Sequence, residues 1–326
     1  MRVLITGASG FLGQWVVREC HKRDYDISIL CRKSSSLEKL EGIPIKKIIG
    51  DLSDKKTLIA ACKEQDLVIH LAGKIAYKRK EYQSMWQTNV EGTQNLLDAM
   101  QEATVKEMIY MSSVVAIGAN NRPLPLNEDS PYNIAHLKLG YFDSKHEAEK
   151  RVLKYCEAGK LNAVIVNPST IYGPGDASKS SRKIQIKVAK GKFPFYTSGG
   201  VNVVHVQDVV DLMFRAYDQK LFNQRIIAGG ENLRIKELFT MIAKASGVSP
   251  PKIYLPNLLV FAIAYVSEFL EKFGARGPIS VENAITSTRF HWFSNENAKQ
   301  KLGMNFQPAE KAIEESVKWA KNHGYI

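Results

Sequence analysis

Short apolar runs recur along the first half of the chain, at Val3–Thr6, Ile27–Leu30, Ile45–Ile49, Leu67–Leu71, Met108–Ser112 and Ala163–Asn167. Amphipathic stretches such as Lys55–Lys63, Gln83–Glu102 and Phe142–Tyr155 lie between most of them. The short runs have the length of strands buried on both faces, and the intervening stretches carry the period of helices. Their alternation predicts a doubly wound α/β fold, with a parallel sheet, right-handed crossovers and helices on both faces. After Pro168 the pattern loosens into loops punctuated by proline and glycine, with helices predicted around Gln185, Asp208, Lys236, Ala262 and Ala312. This is the pattern of a smaller C-terminal α/β lobe. The predicted division gives 1–167 plus about 203–228 to the main sheet domain, and 168–202 and 229–326 to the lobe. The Pro-bearing segment Asn121–Pro131 reads as a long loop of functional kind.

Between the first run and the first amphipathic stretch stands Thr6-Gly7-Ala8-Ser9-Gly10-Phe11-Leu12-Gly13. In a strand–turn–helix setting, Gly7 permits the sharp turn, Gly10 lets backbone N–H groups approach a pyrophosphate, and Gly13 allows close packing of helix on strand. The helix opening at Phe11 and Leu12 would present free N–H groups and its positive dipole end to the phosphates. The second strand ends Leu30-Cys31-Arg32-Lys33-Ser34, with no carboxylate to bind ribose hydroxyls. Arg32 can instead pair bidentately with a 2′-phosphate, assisted by Lys33. NADP(H) is therefore the expected cofactor.

A second constellation adds chemistry. Tyr141 and Lys145 are four residues apart, so one helix face carries both. An ammonium beside a phenol is expected to pull its pKa of about 10 toward working pH, making Tyr141 a proton donor and acceptor. Ser112 and Ser113 close a predicted strand, where hydroxyls reach the ligand crevice of an open parallel sheet.

With these residues, the chain resembles the extended short-chain dehydrogenase/reductase family along essentially its whole length. Further matching segments are Gly50-Asp51-Leu52, His70-Leu71-Ala72, Asn89-Val90-Glu91-Gly92-Thr93 and Asn167-Pro168-Ser169-Thr170-Ile171-Tyr172-Gly173-Pro174-Gly175. The stretches from Val166 to Asp176, Gly199 to Val206 and Gly229 to Leu233 are most similar to the bacterial dihydroflavonol-reductase-like group, whose members are often labelled hopanoid-associated sugar epimerases. The resemblance implies a Rossmann-type domain in which Asp51 and Leu52 lie along the adenine and Leu71 and Ala72 under the ribose and pyrophosphate. Lys145 would hold the nicotinamide ribose, and Pro168, Ser169 and Thr170 would border the nicotinamide. Asn89 would support its helix or complete a proton relay. The catalytic hydroxyl of the family lies five residues before a glycine, here Gly118, which selects Ser113 over Ser112. Lys74, Tyr77, Tyr172 and Tyr196 are the candidates to line the substrate, and a homodimer through the helices around 85–103 and 141–158 is implied.

Dehydratases of the family carry Thr-Asp-Glu where this chain has Ser112-Ser113-Val114, which disfavours dehydration. Members acting on nucleotide-diphospho-sugars carry an arginine where this chain has Val201. Losing charge-assisted contacts to a diphosphate disfavours such substrates. The expected enzyme is an NADP(H)-dependent reductase, or the reverse dehydrogenase, for a carbonyl or hydroxyl of a mainly apolar small molecule. The alternatives are a sugar epimerase using tightly bound cofactor and a non-catalytic cofactor-sensing protein.

Composition changes this picture little. A hydrophobic share of 44% is ample for a large core. The net charge of +12 is spread along helices without an aromatic–basic array, so nucleic acid is not an expected partner. Cys20, Cys31, Cys62 and Cys156 lack metal or disulfide spacing and read as buried thiols of a reducing compartment. With a strand predicted from residue 2, no signal peptide is expected and the location is cytoplasmic. The most apolar segment, Leu258–Val266, is too short to span a bilayer. A buried helix is the leading expectation for it, and peripheral membrane contact the alternative.

Overall fold

The computed structural model describes residues 1–77, 79–178, 182–271, 273 and 277–326. Its main sheet is built from β1 (Arg2–Thr6), β2 (Asp26–Cys31), β3 (Lys46–Ile49), β4 (Leu67–His70), β5 (Glu107–Met111) and β6 (Asn162–Pro168). Three short strands follow, β7 (Thr170–Tyr172), β8 (Phe195–Tyr196) and β9 (Gly200–His205), before β10 (Gln224–Ala228) rejoins the main sheet. The last strands are β11 (Glu231–Arg234), β12 (Ile253–Tyr254) and β13 (Phe290–His291). The helices of the first domain are α1 (Phe11–Lys22), α2 (Lys55–Cys62), α3 (Tyr82–Trp86), α4 (Gly92–Glu102) and α5 (Gly140–Glu157). Then come α6 (Lys183–Ala189), α7 (Val206–Asp218), α8 (Ile235–Ser246) and α9 (Asn257–Glu271). The chain closes with α10 (Val281–Thr288), α11 (Glu296–Leu302) and α12 (Ala309–Asn322).

The seven strands run in the order β10-β6-β5-β4-β1-β2-β3, all parallel. Val3, Leu4 and Ile5 are wholly buried, because β1 is central and both sheet faces are covered. One apolar layer joins the sheet to α1 and α7, the other to α2, α4 and α5. From β1 the chain builds outward to β2 and β3, then restarts on the other side at β4. The carboxyl ends of β1 and β4 therefore border the switch point where an open α/β sheet binds ligands.

The second lobe has a four-stranded sheet, with β9 paired to β7, β11 and β13, and a separate β8–β12 pair. Helices α6, α8 and α12 enclose its core. The expected return to the main domain at about residue 203 is corrected to Val206, because residues 200–205 pair with β7, β11 and β13. Ala298, Leu302 and Met304 also pack into the first domain's core, a return that the division at 229 missed. The stretch 83–102 contains α3, one π-helical turn at Gln87–Glu91 and α4.

The leading expectation for Leu258–Val266 does not hold. In α9 only Val260, Ala264 and Ser267 are buried, while Leu258 is 80% and Tyr265 62% exposed. Spacing alone gives the width of the apolar surface but cannot say how much of it neighbours cover. Among the described residues no helix is long and apolar enough to cross a membrane, and no cluster of three or more metal-ligating side chains occurs. All four cysteines are buried and unpaired, and burial pushes the Cys20 and Cys62 thiols up to about 12.

Candidate active site

The glycine loop is shaped by backbone contact. Gly7 adopts φ +75, and a Cβ there would come 2.7 Å from the Ala72 nitrogen and 2.8 Å from the Leu71 carbonyl carbon. A Cβ on Gly13 would overlap the Gly7 and Ala8 carbonyl oxygens. The loop after β1 thus lies directly against the loop after β4. Gly10 precedes α1 with no side-chain cap and no acidic residue in the first turn, so no carboxylate competes for the positive dipole end that α1 offers an anion. Phe11 is buried beside Gly175, and Leu12 packs against the main core. Arg32 and Lys33 are exposed just past β2, where no carboxylate stands.

Asp51 and Leu52 are turned to local work. The Asp51 carboxylate accepts from the Ser53 N–H at 3.1 Å and from its hydroxyl at 3.0 Å, while Leu52 is buried in the core against Gly92. Ser169 differs: its hydroxyl is buried and has no partner among the described residues, at the end of β6 where a nicotinamide amide would want one. The acid-free first turn of α1, the glycine cradle and this buried hydroxyl together fit a dinucleotide. Pro168 ends β6 and Thr170 opens β7 around it.

Past β5, Ser112 and Ser113 diverge as alternation on an extended chain requires. Ser112 donates to buried Glu149 at 2.5 Å, and Glu149 also accepts from Asn167 at 2.6 Å and pairs with Arg225 at 2.8 Å. Asn167 in turn donates to the Ser113 carbonyl at 3.0 Å. Ser112 is therefore a structural anchor, and the network holds Ser113 facing the crevice, where its hydroxyl hydrogen-bonds with the Tyr141 phenol. Glu149 stands four residues after Lys145, so the Tyr141–Lys145 spacing continued one more turn would have found it.

The first turns of α5 carry Tyr141 and Lys145, both buried. Lys145 Nζ donates to the Met111 carbonyl at 2.9 Å and stands 5.6 Å from the centre of the Tyr110 ring. Gly73, which the motifs passed over, lies beside both this ammonium and Asn89: a Cβ there would stand in ordinary contact, 3.6 Å from the ammonium and 3.5 Å from Asn89 Oδ1. Asn89 accepts from the Lys74 N–H at 2.7 Å and donates to the Lys74 carbonyl at 2.9 Å and to Ser144 at 3.0 Å. It clamps the loop after β4 onto α5. Buried His70 extends the brace, meeting Thr6 at 2.6 Å and Thr93 at 3.1 Å, and burial and Lys145 lower its pKa to about 3.

The Tyr141 phenol is shifted the opposite way from the pull expected of Lys145. Burial, and secondarily Tyr77, push the Tyr141 phenol above its ordinary value, with only the Ser113 hydrogen bond pulling down. Tyr141 therefore rests as a protonated phenol, ready to donate. Burial lowers Lys145 itself to about 8, partly offset by Glu149. The ammonium should thus be lost as pH rises through about 8 in the free enzyme, whereas Tyr141 stays protonated well beyond it. NADPH affinity and kcat/KM should fall with unit slope above about pH 8, measured by fluorescence titration and initial rates. A flat profile to pH 10 would sink this assignment.

Of the substrate candidates, Tyr77 lies edge-on to Tyr141 with ring centres 6.4 Å apart. The Lys74 ammonium is tied to Ser84 at 2.8 Å, with Glu81 at 3.9 Å. Tyr172 is buried in the second lobe's core with the Arg182 guanidinium 3.5 Å from its ring centre. Tyr196, on β8, faces Tyr254 at 5.7 Å beneath Lys236. Two charged residues that the sequence left unnoticed act electrostatically on Tyr77: Arg182, bound to Asp176, and Glu282 on α10. Glu282 accepts from the Tyr82 hydroxyl, and burial raises it to about 7.

Comparison with known proteins agrees with this geometry. The NAD dependent epimerase/dehydratase family matches residues 3–228. A putative dihydroflavonol 4-reductase of Synechocystis is 28% identical, with 99% of this chain and 95% of that protein covered. Sterol demethylase protein B of Methylococcus capsulatus is 26% identical with both chains fully covered. The crystal structure of gox2253 is 34% identical, covers 99% of each chain and superposes with a TM-score of 0.88. With the nucleotide loop, the serine of β5 and the Tyr–Lys helix all inside the matched span, the chain belongs to the NAD dependent epimerase/dehydratase family of extended short-chain dehydrogenases/reductases.

Proposed function

We propose that the protein is an NADPH-dependent reductase, or the reverse dehydrogenase, acting on a carbonyl or hydroxyl of a mainly apolar small molecule. The observation that carries this reading is the junction of Ser113, Tyr141 and Lys145 beside the glycine cradle, with the phenol held protonated. Gly7, Gly10, Gly13 and the N-terminus of α1 would hold the pyrophosphate, Arg32 the 2′-phosphate, and Lys145 the ribose. The bound cofactor would supply a hydride to the carbonyl carbon. Tyr141 Oη gives its proton to the carbonyl oxygen as that oxygen gains charge, and the Ser113 hydroxyl orients the same oxygen. Lys145 keeps positive charge near the resulting phenolate.

An apolar substrate is supported by the residues that pack around Tyr141: Ala76, Met85, Ala119, Ile134, Leu139 and Phe142 form one cluster with it. Two relatives are named for a dihydroflavonol and a sterol, both ring-fused molecules, which fits the same chemistry. Val201 sits on β9 in place of a diphosphate-binding arginine.

The test is oxidation of NADPH with ring-fused apolar ketones, in parallel with NADH and with UDP-glucose. NADPH should bind at least tenfold more tightly than NADH, about 1.4 kcal/mol, and Arg32→Ala should erase most of that gap. Ketone-dependent turnover with no response to UDP-glucose is expected. UDP-glucose epimerisation without net NADPH consumption would replace this reading with the epimerase one.

A further inference from the structure

The outward face of α9 has no counterpart elsewhere in the described molecule. Val260, Ala264 and Ser267 turn inward, where Val260 and Ala264 pack with Ala284 of α10. Leu258, Leu259, Ile263, Tyr265, Val266, Phe269 and Leu270 are exposed, and the face runs on through Phe273, which is 74% exposed. At its other end β12 adds exposed Ile253 and Tyr254. An apolar surface of this size on one element marks an interaction site, whereas scattered exposed leucines would mean nothing. At fifteen residues α9 is about 22 Å long, too short to span a bilayer but suited to lie in its interface.

The charge beside this face says what covers it. Strand β12 pairs with β8, and the Lys252 N–H donates to the Pro194 carbonyl at 3.1 Å. The segment leading into β8 carries exposed Lys183, Lys187, Lys190 and Lys192, and no acidic residue occurs from 182 to 207. From 247 to 267 Lys252 is the sole charged residue. The acids of α9 fall in its last turns, and the Glu268 carboxylate is occupied by the Val281 N–H at 2.9 Å. An apolar strip with tyrosines at residues 254 and 265, joined through the β8–β12 pair to a lysine-rich segment, complements an anionic lipid surface: acyl chains for the strip, headgroups for the lysines. A second copy of the same face fits poorly, because a two-fold contact through the strip would bring the lysine-rich segments toward one another.

We propose that α9, with β12 and the Lys183–Lys192 segment, docks this protein on the surface of an anionic phospholipid bilayer. The docking does not depend on the catalytic reading. Through α10 the docked helix lies one layer from the active site, since Glu282 on α10 bonds Tyr82 and acts electrostatically on Tyr77.

The full chain should co-sediment with phosphatidylcholine vesicles containing phosphatidylglycerol, and much less with phosphatidylcholine alone or at high salt. Tyr265→Ser combined with Phe269→Ser, both at exposed positions, should lower partitioning at least tenfold, with the thermal unfolding curve and NADPH affinity unchanged. Lys187→Gln combined with Lys190→Gln should lower it roughly 20-fold on anionic vesicles and leave the weak binding to phosphatidylcholine as it was. Failure of the folded native chain to bind anionic vesicles would overturn the proposal, as would equal binding by the Tyr265→Ser/Phe269→Ser variant. A dimer seen by light scattering that this same variant dissociates would overturn it too, and would assign the face to a second copy of the chain.

Discussion

Replacing Tyr141 with phenylalanine should lower turnover by about 10²–10⁴-fold while leaving NADPH affinity within a factor of about two. The substitution removes one oxygen, the proton donor, from a buried ring whose contacts are otherwise kept. The ring still meets Tyr77 edge-on and packs with Phe142, and Lys145 still donates to the Met111 carbonyl. Because the buried phenol is protonated at every ordinary pH, the loss should be the same at pH 6 and pH 8. Lys145→Ala should behave differently and damage cofactor affinity as well as turnover, since in the proposed mechanism the ammonium would hold the ribose as well as keep positive charge near the phenolate. Steady-state rates and cofactor titration on the two variants separate these roles. Near-native turnover by Tyr141→Phe with any accepted ketone would place the proton donor elsewhere.

What could be read from the chain was whatever depends on local spacing. The glycine loop, the Ser113 turn and the Tyr141–Lys145 face are each contained within about eight residues, and the alternation of runs specified the seven-stranded sheet. Long-range burial was not legible. The raised phenol of Tyr141 follows from apolar neighbours as far apart in sequence as Ala76 and Ile134, so spacing to Lys145 gave the wrong sign. Tyr172 follows a recognisable motif, yet its place is decided by Arg182, ten residues later and on another element. The exposure of α9 depends on which of its neighbours pack against it. Helix α10 packs over one stripe, and no periodicity within α9 could announce that. Asn89 and Glu149 lie between these cases. Their positions on helical turns were visible, but their partners, the Lys74 backbone and Asn167, come from other strands and loops.

The largest stability effect should come from Asp176→Ala. Asp176 is wholly buried and accepts from Arg182 Nε at 3.1 Å and from the Ser316 hydroxyl at 2.6 Å. Arg182 is 4% exposed and lies against Tyr172 and the Ile171 carbonyl. Deleting the carboxylate leaves a guanidinium inside the protein without its countercharge, which costs about 3–5 kcal/mol, against a total stability typically of about 5–15 kcal/mol. The same arithmetic makes the double variant Asp176→Ala/Arg182→Met the sharper test. With both charges gone, a well-packed methionine should recover most of the loss, because the pair's attraction mainly repays its own desolvation. The site should feel the change as well. The Arg182 charge acts on Tyr77, which leans on Tyr141, so residual folded Asp176→Ala protein should show an altered KM for substrate with cofactor affinity intact. Urea unfolding of the native chain and both variants measures the first effect. A loss below about 1 kcal/mol in the single variant would mean that water reaches Arg182, and that the packing within the second lobe is looser than its geometry indicates.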